Sequence, residues 1–321
     1  MMRVMRVMSI AAIVAASFIL LLAGCGKQVG GEQSGNAKTR VIATIYPVYE
    51  FARQVAGDKA EVTMLVPPGA EPHDWEPSPK DLARIKNAKL FLYHGAGMEP
   101  VEKLLTKEVL GEAKPVEVSR GIELLQASEE EHEHGHQDEK ETESHEHGHV
   151  DSHVWLDPVY AQQEVENIAL ALIEADPVNK EYYRQRADTY KQQLAELDQA
   201  YQRALANTAR RDIITSHAAF GYLSKRYHLQ QMPIMGLSPD SEPTPDKMAQ
   251  IVEFCREHQV KFIFFETLVS PKLAETIAKE TGAGLLVLNP VESLGEQEMQ
   301  EGKTYLSIMR ENLANLEKAL H

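Results

Sequence analysis

VNKEYYRQRADTYKQQLAELDQAYQRAL, from Val178 to Leu205, runs for 28 residues without a glycine or a proline. Its pattern is helical throughout, and at ~1.5 Å per residue it makes a rod of about 42 Å. An average globular helix has only about 11–12 residues. The segment therefore reads as a spine, and the chain on either side determines what it joins.

Upstream, β-like runs alternate with helical patterns. Val41–Ile45 reads as a strand that continues into a helix from Tyr46 to Val55, ended by Gly57. Glu61–Val66 is a second strand, broken by Pro67-Pro68-Gly69, and Ser78-Pro79 opens a helix through Asn87 with serine at N-cap and proline at N1. Leu90–Tyr93, a helix from Glu99 to Val109 and a short strand Val116–Val118 follow, and Asp157-Pro158 starts the helix that precedes the spine. Beyond the spine come strand 212–215, helix 219–227, strand 231–234, a helix opened by Thr244-Pro245, strand 260–265, helix 271–280, strand 285–288 and a last helix 304–320. Such alternation implies mostly parallel sheets. The fold class is α/β, with two Rossmann-like lobes joined by a long rigid helix. The expected divisions are 39–177 for the N-terminal lobe, 178–208 for the linking helix and 209–321 for the C-terminal lobe. No repeat of 20 to 50 residues is visible, which argues against solenoids and propellers.

The first 24 residues carry Arg3 and Arg6, an apolar run from about Met8 to Leu22, and Ala23-Gly24 before Cys25. Two basic residues, a short apolar core and small residues at the exit are the layout of an export signal. The run is too short for a comfortable membrane span of ~20 residues. Leu22-Ala23-Gly24-Cys25 resembles a bacterial lipobox, which makes Cys25 the acylated first residue of the mature chain and a membrane anchor. Residues 25–38, rich in Gly, Ser and Gln, read as a flexible tether. Cys255 is the only other cysteine, so with Cys25 acylated no intramolecular disulfide forms and the exported part stands on its core. The formal charge is −15, and loss of Arg3 and Arg6 takes it to −17. That balance excludes nucleic acid as an expected partner, and a monomer is expected.

Six of the 13 histidines, His132, His134, His136, His145, His147 and His149, lie in an acidic stretch from Glu129 that leads into Asp151-Ser-His-Val-Trp-Leu-Asp-Pro158. With almost no apolar side chain it cannot build a packed core, and it reads as a solvated, metal-avid strap. Imidazole is the commonest protein ligand for zinc, and the carboxylates attract any divalent cation. His132-Glu-His-Gly-His136 and His145-Glu-His-Gly-His149 both match H-E-x-x-H in letters. That motif works only on an amphipathic helix in a packed core. Each match here contains a glycine and lacks apolar neighbours, so protease chemistry is rejected.

In open α/β sheets ligands collect at the carboxyl ends of strands. His73 lies in the loop after the second strand, His217 two residues after Thr215, Glu292 four residues after Leu288, and Glu266 directly ends its strand. His153 sits in the connection that carries the strap. Trp75 and Trp155, the only tryptophans, each stand two residues after a histidine, His73 and His153. An indole there can shield a metal from water, or simply plug the core. His94, His228, His258 and His321 read as solvated or as satisfying a backbone group.

With these residues in hand, the chain resembles the metal-binding lipoproteins of bacterial ABC importers, in the zinc branch of the cluster 9 (A-I) solute-binding family. The resemblance spans Val41 to Leu320. It is carried by Ala43-Thr-Ile-Tyr-Pro47, Val66-Pro-Pro-Gly-Ala-Glu-Pro-His-Asp-Trp-Glu-Pro-Ser-Pro79, Asp151-Ser-His-Val-Trp-Leu-Asp-Pro158, Thr215-Ser-His-Ala-Ala-Phe-Gly-Tyr222 and Val287-Leu-Asn-Pro-Val-Glu-Ser-Leu294. It implies two similar lobes joined by one long helix, one metal in the cleft between them, and the ligands His73, His153, His217 and Glu292. It also implies an ABC permease as partner and makes the strap accessory to the tight site. Serine at 152 replaces a proline common there, which loosens that turn. Glu266 is a secondary candidate, supporting a ligand through a hydrogen bond.

Three imidazoles and one carboxylate suit four-coordinate zinc, whereas manganese prefers more oxygen. Zn2+ is thus the expected cargo, captured on the outer face of the cytoplasmic membrane and released to the permease. The alternative is a lipoprotein or adhesin of the same family that binds manganese or another divalent metal; a manganese member is expected to carry a carboxylate where His217 stands. Four protein ligands leave no open position for an activated water, so no enzyme activity is expected. The imidazoles must be neutral to bind, so affinity falls steeply below about pH 6. The strap collects zinc in weak, fast-exchanging sites and hands it to His153.

Overall fold

The computed structural model describes residues 38–126, 150–239 and 242–321. The expected export signal, Cys25 and the six strap histidines lie outside them.

The first sheet is built from β1 (Thr39–Ala43), β2 (Ala60–Met64), β3 (Leu90–Tyr93) and β4 (Lys114–Glu117), in the order β2-β1-β3-β4 with every pairing parallel. The helices between them are α1 (Tyr46–Ala56), α2 (Pro79–Lys86), α3 (Val101–Leu104) and α4 (Lys107–Leu110). α5 (Pro158–Ala175) follows, and then the spine α6 (Lys180–Leu205). The second sheet repeats the plan with β5 (Asp212–Thr215), β6 (Gln230–Pro233), β7 (Phe262–Phe265) and β8 (Gly284–Val287), ordered β6-β5-β7-β8 and again all parallel. Its helices are α7 (Gly221–Tyr227), α8 (Pro245–Glu257), α9 (Lys272–Thr281), α10 (Glu296–Gln300) and α11 (Tyr305–Leu320).

Local chemistry sets the helix starts. The Ser78 hydroxyl accepts the Asp81 N–H while the Asp81 carboxylate accepts the Ser78 N–H, a reciprocal cap with Pro79 at the first turn. Asp157 and Thr244 cap α5 and α8 one way only, accepting the Val159 and Lys247 N–H groups ahead of Pro158 and Pro245. Two expectations needed correction. The helix expected over 99–109 is two short ones, because the Thr106 hydroxyl accepts the Val109 N–H and starts a new cap in the middle. The spine is 26 residues long, since Pro177–Asn179 form a separate 3₁₀ turn before it.

α6 packs against α1 and α5 from the first lobe and α11 from the second. Its inward stripe, Tyr183, Ala187, Tyr190, Leu194, Leu197, Tyr201 and Leu205, recurs at three- and four-residue spacing and is buried along its length. One apolar core therefore runs continuously from Val41 and Phe51, through the spine, to Ile213 and Leu316. Smaller clusters cover the outer face of each sheet. A shared core of this kind resists lobe separation, because opening it would expose large side chains at about 25 cal/mol per Å2.

Candidate metal centre

The carboxyl ends of both sheets face one cleft, and four loops deliver side chains into it. Prolines 67, 68, 72 and 77 stiffen the loop after β2, where the Ala70 N–H reaches the Pro67 carbonyl (3.1 Å) and the His73 N–H reaches Glu71 Oε1 (3.2 Å). His153 is aimed by Asp151, whose Oδ1 accepts both the His153 backbone N–H (2.9 Å) and its Nδ1 (2.8 Å). Just past β5, the Thr215 hydroxyl and the Gln231 amide donate to the His217 carbonyl at 2.8 and 3.0 Å. Glu266, the residue after β7, accepts His217 Nδ1 at 2.8 Å and the His217 N–H at 3.2 Å. Glu292 follows β8 in a tight loop.

These side chains converge. His153 Nε2 lies 3.2 Å from His73 Nε2, 3.3 Å from His217 Nε2 and 2.9 Å from Glu292 Oε1. Glu292 Oε1 is 3.1 Å from His217 Nε2 and 3.8 Å from His73 Nε2. All four donor atoms fall within 4.8 Å of one another, and among the described residues this is the one group of three or more such side chains so placed. A tetrahedral ion with bonds of ~2.0–2.1 Å needs donor edges of about 3.3–3.4 Å. The donors are thus already spaced for such an ion.

The electrostatics favour a cation. With their Nδ1 atoms donating to Asp151 and Glu266, His153 and His217 turn Nε2 inward, the nitrogen a metal would take once its proton is displaced. Burial alone would depress the His153 imidazole, but Asp151 and Glu292 outweigh it and lift it to about 9. For His217, burial is overcome by Glu266 and Glu292, and the shift is strongly upward. Burial would raise Glu292, yet His217 and the other imidazoles hold it well below the ordinary carboxylate range. Glu71, raised to about 8 by burial and then by the charge on Glu292, stands beside it, and a small cavity bordered by Glu71, Glu266 and Glu292 opens next to the donors.

Every dispersed residue singled out in the sequence reaches this place: His73, His153, His217 and Glu292 as converging donors, and Glu266 behind His217. Three contributors were not foreseen. Asp151 duplicates for His153 what Glu266 does for His217, and its position two residues before the histidine is the signal that could have found it. Glu71 offers only the acidic loop around it. His94 is fully buried, with Nε2 donating to the Ser152 carbonyl (2.7 Å) and Nδ1 3.1 Å from Glu164. Burial opposes its charge while Glu164 raises it, and burial raises Glu164 in turn, so a close buried His–Glu contact backs the turn that carries His153. The two tryptophans differ: Trp155 is fully buried with its ring 5.4 Å from that of His153, whereas Trp75 is a half-buried plug against two apolar clusters.

Two parallel α/β lobes on a shared spine, with a His3Glu donor set in the cleft, define a metal-binding protein. Residues 41–319 match the family described as ZnuA, zinc-uptake complex component A, periplasmic, and the chain belongs to it. It is 44% identical over 311 residues to the high-affinity zinc uptake system protein ZnuA of Bacillus subtilis (strain 168), covering 96% of each. It is 39% identical over 313 residues to the zinc-binding lipoprotein AdcA of Streptococcus pneumoniae (strain ATCC BAA-255 / R6), covering 96% of this chain but 60% of that longer protein. The crystal structure of the Zn(II)-bound ZnuA-like domain of Streptococcus pneumoniae AdcA superposes with a TM-score of 0.74 at 38% identity, over 88% of this chain and 99% of the other.

Proposed function

We propose that this protein captures Zn2+ from the extracytoplasmic space in the cleft formed by His73, His153, His217 and Glu292 and delivers it to the permease of an ABC importer. The observation that carries this reading is the convergence of three imidazole nitrogens and one carboxylate oxygen within 4.8 Å, with carboxylates fixing two of the imidazoles from behind. Nitrogen-rich four-coordination favours zinc over manganese. The names of the Bacillus and Streptococcus relatives, zinc uptake and zinc-binding proteins, support the same cargo.

The metal is cargo and undergoes no chemistry, so the protein is not an enzyme. Segments 39–177 and 209–321 act as the lobes and 178–208 as the strut between them. Acylated Cys25 and the 25–38 tether hold a monomer at the outer face of the cytoplasmic membrane. The strap carrying His132, His134, His136, His145, His147 and His149 gathers zinc in weak sites near the cleft. Because the apolar core is continuous through the spine, loading and release proceed by small loop movements and not by wide lobe closure.

Isothermal titration of the mature protein with zinc, manganese and copper, repeated on His217→Asp, tests this reading. One tight zinc site per chain, with the variant shifted toward manganese, is expected. Manganese binding as tightly as zinc in the unmodified protein would overturn it.

A further inference from the structure

The Glu292 carboxylate meets His73, His153 and His217 and the Glu71 carboxyl beside it. Its aim must therefore come from its backbone. The segment Asn289–Ser293 is secured at several backbone and side-chain polar groups. The Asn289 N–H donates to Asn312 Oδ1 (2.9 Å) and its carbonyl accepts from Asn312 Nδ2 (2.7 Å), while Asn289 Oδ1 accepts the Val291 N–H (2.7 Å). These bonds are internal to the second lobe. Three others come from the first-lobe side: Trp155 Nε1 donates to the Pro290 carbonyl (2.8 Å), the Tyr46 N–H to the Glu292 carbonyl (3.3 Å) and the Gly69 N–H to Ser293 Oγ (3.1 Å).

Such fastening has a physical reason. Val291 is a buried, β-branched residue at φ +60°, a left-handed conformation that valine adopts rarely and keeps only when its surroundings impose it. Relaxation to negative φ would rotate the following residue, Glu292, away from the imidazoles. Trp155 is suited to prevent this. It is wholly buried, its carbonyl accepts the Tyr305 hydroxyl, and its ring stands edge-on to His94 at 4.9 Å and 82°. It also lies two residues from His153, whose Nε2 makes the shortest inter-ligand approach to Glu292, 2.9 Å.

Resting on the zinc-capture reading above, we propose that Trp155 is a positioning residue for Glu292: its indole N–H, with the backbone N–H groups of Tyr46 and Gly69, latches the strained Glu292 loop onto the first lobe and sets the residence time of zinc. Freed of the latch, the site would keep three imidazoles and lose its carboxylate.

The test is a double-mutant cycle on zinc-loaded mature protein, with dissociation followed by absorbance of a chromophoric chelator in excess. Trp155→Phe, which removes the N–H and keeps an aromatic plug, should release zinc about tenfold faster, with association changed by less than about twofold. In a Glu292→Gln background it should add no further acceleration, since the carboxylate it positions is gone. The visible spectrum of the cobalt-loaded Trp155→Phe protein should shift toward that of Glu292→Gln. Ser293→Ala, which removes only the contact to Gly69, should accelerate release by about two- to threefold and carries the same cycle should Trp155→Phe melt early. Equal acceleration in both backgrounds would mean general loosening and overturn the proposal, as would wild-type release rates in both variants. Failure of the unmodified protein to hold zinc, or of Glu292→Gln to weaken it, would instead overturn the capture reading and this proposal with it.

Discussion

His153 and His217 are fully buried, and each has a carboxylate 2.8 Å from Nδ1, whereas His73 is 13% exposed and only its backbone N–H is held, by the Glu71 carboxylate. The first two form a fixed seat, one from each lobe, with ring plane and cleft-facing nitrogen set before any metal arrives. His73 closes the site from the solvent side on a proline-stiffened loop. Entry and exit of the ion should therefore run past His73, and the seat should hold most of the binding free energy.

The largest expected effect breaks the seat. Structural zinc sites gain about 10–16 kcal/mol, so one of four ligands is worth roughly 3 kcal/mol, about 100-fold in affinity. His153→Ala and His217→Ala should each weaken zinc at least that much in competition titrations. His73→Ala should cost nearer to tenfold, chiefly by faster release. Equal losses for all three would erase the distinction between seat and closure. Next come the supports: Glu266→Gln and Asp151→Asn, which keep shape and remove charge, should each weaken zinc by about 10–100-fold. The corresponding change at Glu71, Glu71→Gln, should alter affinity by less than either.

Acidity acts on the same contrast. Zinc must displace protons from imidazoles, and the metal-free His153 keeps its proton to about pH 9, with His217 also strongly raised. Affinity should therefore fall already from pH 9 toward 7, and not only below 6 as unperturbed imidazoles would have it. Each retained proton contributes a slope of up to one log unit per pH unit. Titrations in buffers of different ionisation enthalpy at pH 7 should show at least one proton released per zinc. A flat affinity between pH 7 and 9 would mean that the seat is not charged in the metal-free state.

The sequence makes the four donors legible as candidates because each loop announces itself by strand ends, prolines or clustered polar residues, and the family resemblance singles out the set. It makes Glu266 legible because a carboxylate directly after a strand must sit at the cleft edge. Asp151 was hidden by the strap, in whose acidic run one more aspartate carries no weight. The contact of His94 with Glu164 was hidden because the two are far apart in the chain and meet only when α5 packs beside β3. Gly221 shows the same limit. A Cβ there would collide with the Asp151 carboxylate, a constraint that no local pattern around residue 221 reveals. The single helix expected over 99–109 failed for a local reason, one threonine whose hydroxyl competes with the helix backbone.

The smallest expected effect concerns the strap, and it separates collecting zinc from holding it. Gln126 and Val150 pair as an antiparallel bridge, and the Asp151 N–H donates to the Leu125 carbonyl at 2.8 Å, so the strap leaves and re-enters the fold at adjacent points. Tyr222 fastens that base, accepting the Leu125 N–H (2.9 Å) and donating to the Asp151 carbonyl (2.8 Å). A deletion of residues 129–149 that spares Val150, rejoined through a short turn, leaves those bonds and the Asp151–His153 support in place. Loop-closure entropy changes only by about 0.6 kcal/mol per doubling of length. Stability should then stay within about 1 kcal/mol and the tight-site affinity within about twofold, while the weak zinc equivalents vanish from the titration and uptake slows at scarce zinc. A tenfold loss at the tight site would mean that strap histidines complete the cleft, and the contrast of seat and closure would need a third part.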